Sequence, residues 1–402
     1  MRNDRIQLRC DAKIRKDWGY SLLELIMVML IFMIVIMITA SAFEKIVNSS
    51  SQLSKSAESN IEGIIGLEIM RTDLEHAGFG LPYSMPFVAA FEESQVAADT
   101  LANGIDPGNF NDNKILTTVD PNKVPLAIQS AKAIGGTAGA WELGRDYIVI
   151  KSTISGMNAA AGKWSYVEGS GATSTIKLWG NNDLAVGDRV ISLNASTRAL
   201  IGTDTSNFSY QVAGPPQAPT LAYQPPNSNT NYLVYGVSSN VNLRVPYNRV
   251  DYYIKRPDDI SPRCAKGTGT LYKAVMSQNG GGVTQYPLFD CVADMQVVYS
   301  LDANPDDGIN EVNFHGDENY FLNQSAEAIR KQLKEVHVFI LAHEGKKDMT
   351  YSYPTKQVQV GETLNGTLYG RQYDLSLLDS IGSEWANYRW KLYKIVVSPR
   401  NL

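Results

Sequence analysis

The chain has 402 residues, 44% hydrophobic and 19% charged, with a formal net charge of −5. That apolar content is enough for a sizeable core and a folded globular part. With no basic block beyond the N-terminal segment, the electrostatic footprint of a nucleic-acid-binding surface is excluded, and no nucleic-acid partner is expected.

The chain opens with "MRNDRIQLRCDAKIRKDWG", six Lys/Arg against three Asp. Leu25–Phe43 then gives nineteen residues without a charge, close to the ~20 that cross a bilayer core. The basic flank is the side that stays in the cytoplasm. A secretory signal has a shorter apolar core, ~7–15 residues, and is cut after it. Here the processing mark, Gly19, precedes the apolar run, so everything after Phe43 is expected to stay attached to the helix and outside the cytoplasm. Glu24 stands at the mouth of the run, where an ionised carboxylate costs a few kcal/mol or more. It therefore calls for a partner charge.

The order of basic leader, Gly19, Tyr20 and Glu24 before "LIMVMLIFMIVIMI" resembles the class III signal of type IV prepilins and pseudopilins. In that family a Gly precedes a hydrophobic residue, and Glu is the fifth residue after the cut. Tyr20 stands where Phe is commoner. The resemblance implies cleavage between Gly19 and Tyr20 by a prepilin peptidase that also N-methylates Tyr20. It implies a single-pass inner-membrane protein with a cytoplasmic N-terminus and a periplasmic head. It further implies that Glu24 meets the amine of a neighbouring subunit, since opposite charges in low dielectric are tolerable as a pair. On this reading Glu24 is an assembly register device and not a catalyst. An ordinary signal-anchor is the other reading of the same segment.

From 44 to 76 the pattern is an amphipathic helix, with Leu53, Ala57, Ile61, Ile64 or Ile65, and Ile69 at steps of three and four. "HAGFGLP" supplies its stop. Joined to the membrane run, the helix is expected to span ~75–80 Å at 1.5 Å per residue, one half apolar all round and the other packing one face on a head. The head reads as mostly β, with strands over 146–154, 174–179, 188–193, 231–237, 249–256, 294–301, 335–344 and 388–399. One helix is expected over 323–334, and the stretches 103–140 and 214–226 read as loops. The fold class is α+β: a leader over 1–19, a membrane or filament-core helix over 20–43, an amphipathic helix over 44–80, and a head over 81–402. "RTDLEHAGFG", "ADMQVVYSLDANPDDG", "IRKQLKEVHVFILA" and the closing "YRWKLYKIVVSPRNL" together resemble the PilW group of large minor pilins. The resemblance does not extend to the stretch from about 85 to 285, which is unmatched.

Chemistry is sparse. Cys264 and Cys291 are an even pair in an exported segment and read as a disulfide, with two separately buried thiols as the other reading. His337 and His343 share one strand face ~20 Å apart, too far for one metal. "GMNAAAGKW" misses the spacing and the magnesium-holding hydroxyl of a phosphate loop. No nucleophile elbow or zinc-protease motif occurs, so an enzyme is not expected. Asp302, Asn304, Asp306, Asp307 and Glu311 begin like a calcium loop, but Gly308 is seventh where an EF-hand needs it sixth. A solvated acidic turn is the alternative there, and no cofactor other than this calcium is expected. The family resemblance implies a minor pilin that primes type IV pilus assembly and sits near the tip. Its partners would be other minor pilins, the major pilin, prepilin peptidase, the assembly platform and membrane lipid. A type II secretion pseudopilin and a pilus-displayed adhesin or ligand-binding module are the competing readings.

Overall fold

The computed structural model describes residues 19, 21–85, 91–112, 124–133, 143–204, 206–215, 217–239, 241–307, 312, 314–321, 324–378 and 384–402. Tyr20, Gly308 and Glu311 lie outside the described residues. The chain is α+β. A 54-residue helix, α1 (Leu22–Glu75), comes first, and the chain divides into two compact units after Ser54.

The second unit, Lys55–Leu402, holds the rest of α1 and all the strands. In chain order these are β1 (Ile128–Lys132), β2 (Asp146–Ser152), β3 (Trp164–Glu168), β4 (Thr175–Ile176), β5 (Asp188–Asn194), β6 (Tyr210–Gln211) and β7 (Tyr232–Ser239). There follow β8 (Asn248–Lys255), β9 (Gly269–Met276), β10 (Val283–Leu301), β11 (Phe314–Gly316), α2 (Ala326–Gln332), β12 (Leu333–Glu344), β13 (Gln357–Leu364), β14 (Thr367–Asp374) and β15 (Arg389–Val397). The large sheet runs β1-β2-β8-β9-β10-β12-β15, with β11 paired to β10. A smaller sheet runs β4-β3-β7-β5-β6, and β13–β14 is a separate hairpin.

One core joins three of these parts. Leu67, Met70 and Leu74 of α1 pack with Ile148, Tyr252, Met295 and Val338 of the large sheet and with Ile191 and Tyr235 of the smaller one. The large sheet is covered on its other face too. Phe339 and Leu341 meet Val360 and Tyr373 of the hairpin, while Val149 and Tyr253 meet Leu101, Ile105 and Phe110. Burial on both faces explains why Tyr147–Ile150 of β2 is a continuous apolar run instead of alternating, whereas β8 carries buried Arg249 and Asp251 beside its apolar residues. β15 is an edge strand. It turns Trp390, Tyr393 and Ile395 inward and Arg389, Lys391 and Lys394 outward, charges that discourage further strand pairing.

The stretch from about 85 to 285 is built into the head. It supplies β1, β2, β8 and β9 to the large sheet and the whole of the smaller one. A buried ionic network ties it down. The Lys151 ammonium donates to Glu93 Oε1 at 3.0 Å, Asp112 Oδ1 at 2.6 Å and the Phe110 carbonyl at 2.9 Å. Arg249 forks onto Asp251 at 2.8 and 2.7 Å and donates to the Pro107 carbonyl and Asn111.

Several elements depart from the sequence reading. The strand expected over 174–179 shortens to β4, because the Trp179 amide turns to Asp183 Oδ1 and Gly180 takes φ +84. The strand expected over 294–301 reaches back to Val283 through two bulges, one beside Cys291 at φ +60. α2 starts at Ser325, whose hydroxyl accepts from the Ala328 amide at 3.1 Å. β13–β14 was legible from Asn365-Gly366, both at positive φ, the pair favoured in a two-residue hairpin turn.

The largest correction concerns α1. Within the second unit the expected head-facing stripe is outward: Ile61, Ile64, Ile65 and Ile69 are 59%, 57%, 58% and 38% exposed. The face on the head is instead Gly63, Gly66, Leu67, Met70, Asp73 and Leu74. Two of these are glycines because the helix lies against β10. A Cβ on Gly66 would stand 2.6 Å from the Leu288 carbonyl oxygen, and one on Gly63 2.9 Å from the Phe289 ring. Hydrophobic spacing cannot score a contact made by missing side chains. Gly66→Ala is therefore expected to destabilise the detergent-solubilised protein by about 1–3 kcal/mol, although Ala is the better helix former. An unchanged or raised denaturation midpoint would refute this packing.

Candidate assembly surface

In the first unit, every apolar side chain from Leu25 to Ile38 is at least half exposed, and the best helical window has a mean hydropathy of 2.9. The segment is long and apolar enough to cross a membrane. Its two hydroxyls are satisfied internally: Thr39 donates to the Val35 carbonyl at 2.7 Å and Ser41 to the Ile38 carbonyl at 2.9 Å. Such back-bonding is what hydrocarbon surroundings require.

Gly19 and Glu24 are exposed, and Glu24 lies in the first turn of α1. The Ser21 carbonyl accepts from the amides of Glu24 at 3.0 Å and Leu25 at 3.1 Å, so Ser21 begins the helix and Glu24 stands three residues on. That is the spacing of a capping box, and a carboxylate there also favours the positive end of the helix dipole. The pattern Ser-x-x-Glu was readable in the sequence and adds a local reason for Glu24.

In the second unit, α1 carries two faces. Leu67, Met70 and Leu74 are buried on the head, while Ile61, Ile64, Ile65 and Ile69 are 59%, 57%, 58% and 38% exposed on the opposite side. The buried face also carries Asp73, which accepts from the Lys273 ammonium at 2.6 Å and the Tyr252 hydroxyl at 2.5 Å. Burial, and then Asp73, push the Tyr252 phenol well above its ordinary range. Sequence reasoning misses Asp73, since an acid on an amphipathic helix is ordinarily assigned to the solvent face.

Cys264 and Cys291 are disulfide-bonded, closing a loop across the β8–β9 connection onto β10. His343 lies beside the bond, between Tyr388 and Trp390 with ring centroids 4.4 and 5.1 Å away. Its Nε2 accepts from the Ala265 amide at 2.9 Å, which puts the proton on Nδ1. Burial, with a smaller contribution from the Arg263 charge, lowers its pKa to about 3. At the other end of β12, His337 faces Glu362 Oε1 at 2.5 Å and Glu335 Oε2 at 2.9 Å. His315 joins that group, with its ring 6.2 Å from that of His337.

Among the described residues of the acidic loop, Asn304, Asp306 and Asp307 are exposed and Asp302 is not. Asp302 is 1% exposed, accepts from the Asn304 amide at 3.0 Å and sits 3.6 Å from Lys334. Asp306 pairs with Lys331 at 3.1 Å, so two lysines already answer two of the expected calcium ligands.

A comparison with solved structures finds a type IV-like pilin from Thermus thermophilus at TM-score 0.24 and 13% identity, over 39% of this chain and 66% of that one. No protein-family model matches the chain. No curated protein matches it either.

Two measurements follow from the disulfide and its histidine. Thiol labelling of unfolded, unreduced protein should find Cys264 and Cys291 blocked, and reduction should cost roughly 3–4 kcal/mol in the chain-entropy account. Two labelled thiols would refute the bond. His343 has a folded pKa of about 3 against an ordinary 6.5, so its contribution is complete above about pH 6.5 and is lost as pH falls toward 3. The loss approaches ~1.4 kcal/mol per pH unit. His343→Gln should flatten the difference in stability between pH 7 and pH 5; a slope equal to that of the parent protein would overturn the assignment.

Proposed function

We propose that the protein is a pilin-type subunit, a large minor pilin that helps prime type IV pilus assembly and sits at or near the filament tip. The observation that carries this reading is the outward isoleucine face of α1 at Ile61, Ile64, Ile65 and Ile69. A helix that only anchored a head would need apolar surface where lipid meets it, and polar residues beyond. Here apolar side chains continue outward on the part of the helix that already has a head on its other side. Exposed apolar surface of that kind marks an interaction site, and the neighbour it fits is another apolar helix. The resemblance of Gly19, Tyr20 and Glu24 to the prepilin signal supports the same reading.

In this role the leader is removed before Tyr20, and the first unit is held in the inner membrane with the head in the periplasm. The Glu24 carboxylate, exposed beside an uncharged segment, is matched by the amine of a neighbouring subunit. The partners are other minor pilins and the major pilin, and the assembly platform and prepilin peptidase act on the chain before it enters the filament. A head of the size of two ordinary domains is tolerated at an end of a filament, where one side is free, and not in a closely repeating shaft. Nothing in this role calls for catalysis.

Mass spectrometry of the membrane-extracted protein should find N-methylated Tyr20 as the first residue. A chain still starting at Met1, or cut beyond Phe43, would defeat the reading. Glu24→Ala should leave the head folded and the precursor inserted, yet reduce co-purification with other minor pilins and lower filament number. Normal piliation with that variant would remove Glu24 from assembly.

A further inference from the structure

We propose that an exposed ring cluster on the smaller sheet is a binding site for a neutral carbohydrate. Trp164 and Tyr166 alternate on one face of β3, and Trp179 packs beside both, with ring centroids 5.6 Å from each. Trp164 is 44% exposed and Trp179 49%. These rings stand outside the core of the smaller sheet, which is built from Val167, Ile176, Val190 and Val234. The fold therefore does not require them to be aromatic.

The cluster is held in place before any ligand arrives. The Trp179 indole donates to the Trp164 carbonyl at 3.1 Å, and Asp183 accepts from the amides of Trp179 at 2.6 Å and Gly180 at 3.0 Å. Rings fixed in this way lose little freedom on binding. Hydrogen-bonding groups surround them. Tyr166 donates to Glu168 at 3.2 Å, Glu168 pairs with Lys177 at 3.2 Å, and the Trp164 indole N–H has no partner among the described residues.

Three ligand classes stack on aromatic faces, and the surroundings separate them. Nucleobase platforms line positively charged grooves, but the charged rim here includes Glu168 and Asp183, with Lys177 already paired. A specific protein interface needs ~800 Å² on each partner, whereas half-exposed rings of 150–250 Å² each offer about 300 Å² in all. A pyranose fits that area. Its C–H face meets the negative ring face, and its hydroxyls at the rim meet the free indole N–H, the tyrosine oxygen and the carboxylate. Few polar groups around an apolar floor is the usual make-up of a small-ligand site.

The test uses the full chain in detergent, titrated with cellohexaose and with chitohexaose while tryptophan fluorescence is followed, and then screened on a neutral-glycan array. A saturable fluorescence change is expected with at least one neutral glycan, weakened about tenfold or more in Trp164→Ala and Trp179→Ala. Glu168→Gln leaves all three rings in place and should also weaken binding, which keeps the test valid if a tryptophan variant misfolds. Melting temperatures of the variants should match the parent. The proposal is overturned if no neutral glycan binds, if binding is unchanged in Trp179→Ala and Glu168→Gln, or if single-stranded DNA or a protein partner is what responds to these substitutions.

Discussion

The head depends on how closely α1 approaches β10. At Gly66 the helix backbone lies against the Leu288 carbonyl, leaving no room for a methyl group. The next residue, Leu67, and Met70 one turn on enter the core shared by both sheets. Further along the same face, Asp73 is buried with Lys273 of β9 and Tyr252 of β8. A buried ion pair is weak evidence of stability, but losing one partner costs 3–5 kcal/mol. Sliding the helix would therefore strand a charge and press Gly66 into the sheet. The helix is fixed both along its axis and in rotation.

The rotational lock has a functional consequence. With Gly63, Gly66, Met70 and Asp73 committed to the head, Ile61, Ile64, Ile65 and Ile69 point away from it. The chain thus keeps two apolar faces on one helix segment, one filled within the molecule and one left for a neighbour. Its polar contacts are divided in the same way. Lys151, Glu93, Asp112 and Tyr247 converge inside the head, where burial raises the Asp112 carboxyl to about 6 and holds the Tyr247 phenol well above its ordinary range. Burial by itself would raise Glu93 too, but Lys151 and Arg249 bring it below the usual carboxylate range. This network joins residues before β1 to β2 and β8, so the long stretch without a recognisable pattern is structural as well as peripheral. Its smaller sheet both closes the main core through Ile191 and Tyr235 and presents the exposed rings of Trp164 and Trp179.

The sequence by itself determined the start of α1, its uncharged run and the position of Glu24, because charge and hydrophobicity along one helix are local properties. It also determined most strands of the large sheet, whose apolar runs are unambiguous, and the even cysteine pair. Three things were decided only by the tertiary structure. The inward face of α1 was one, since a contact built from Gly63, Gly66 and Asp73 contradicts hydrophobic spacing. The surroundings of His343 and Asp302 were another, because burial depends on Tyr388, Trp390 and Lys334, which lie 45, 47 and 32 positions away along the chain. The last was the gathering of Trp164, Tyr166 and Trp179. The physical reason is the same in each case: side-chain pattern is written along the chain, whereas close approach, burial and ring contact depend on which distant segment lies opposite.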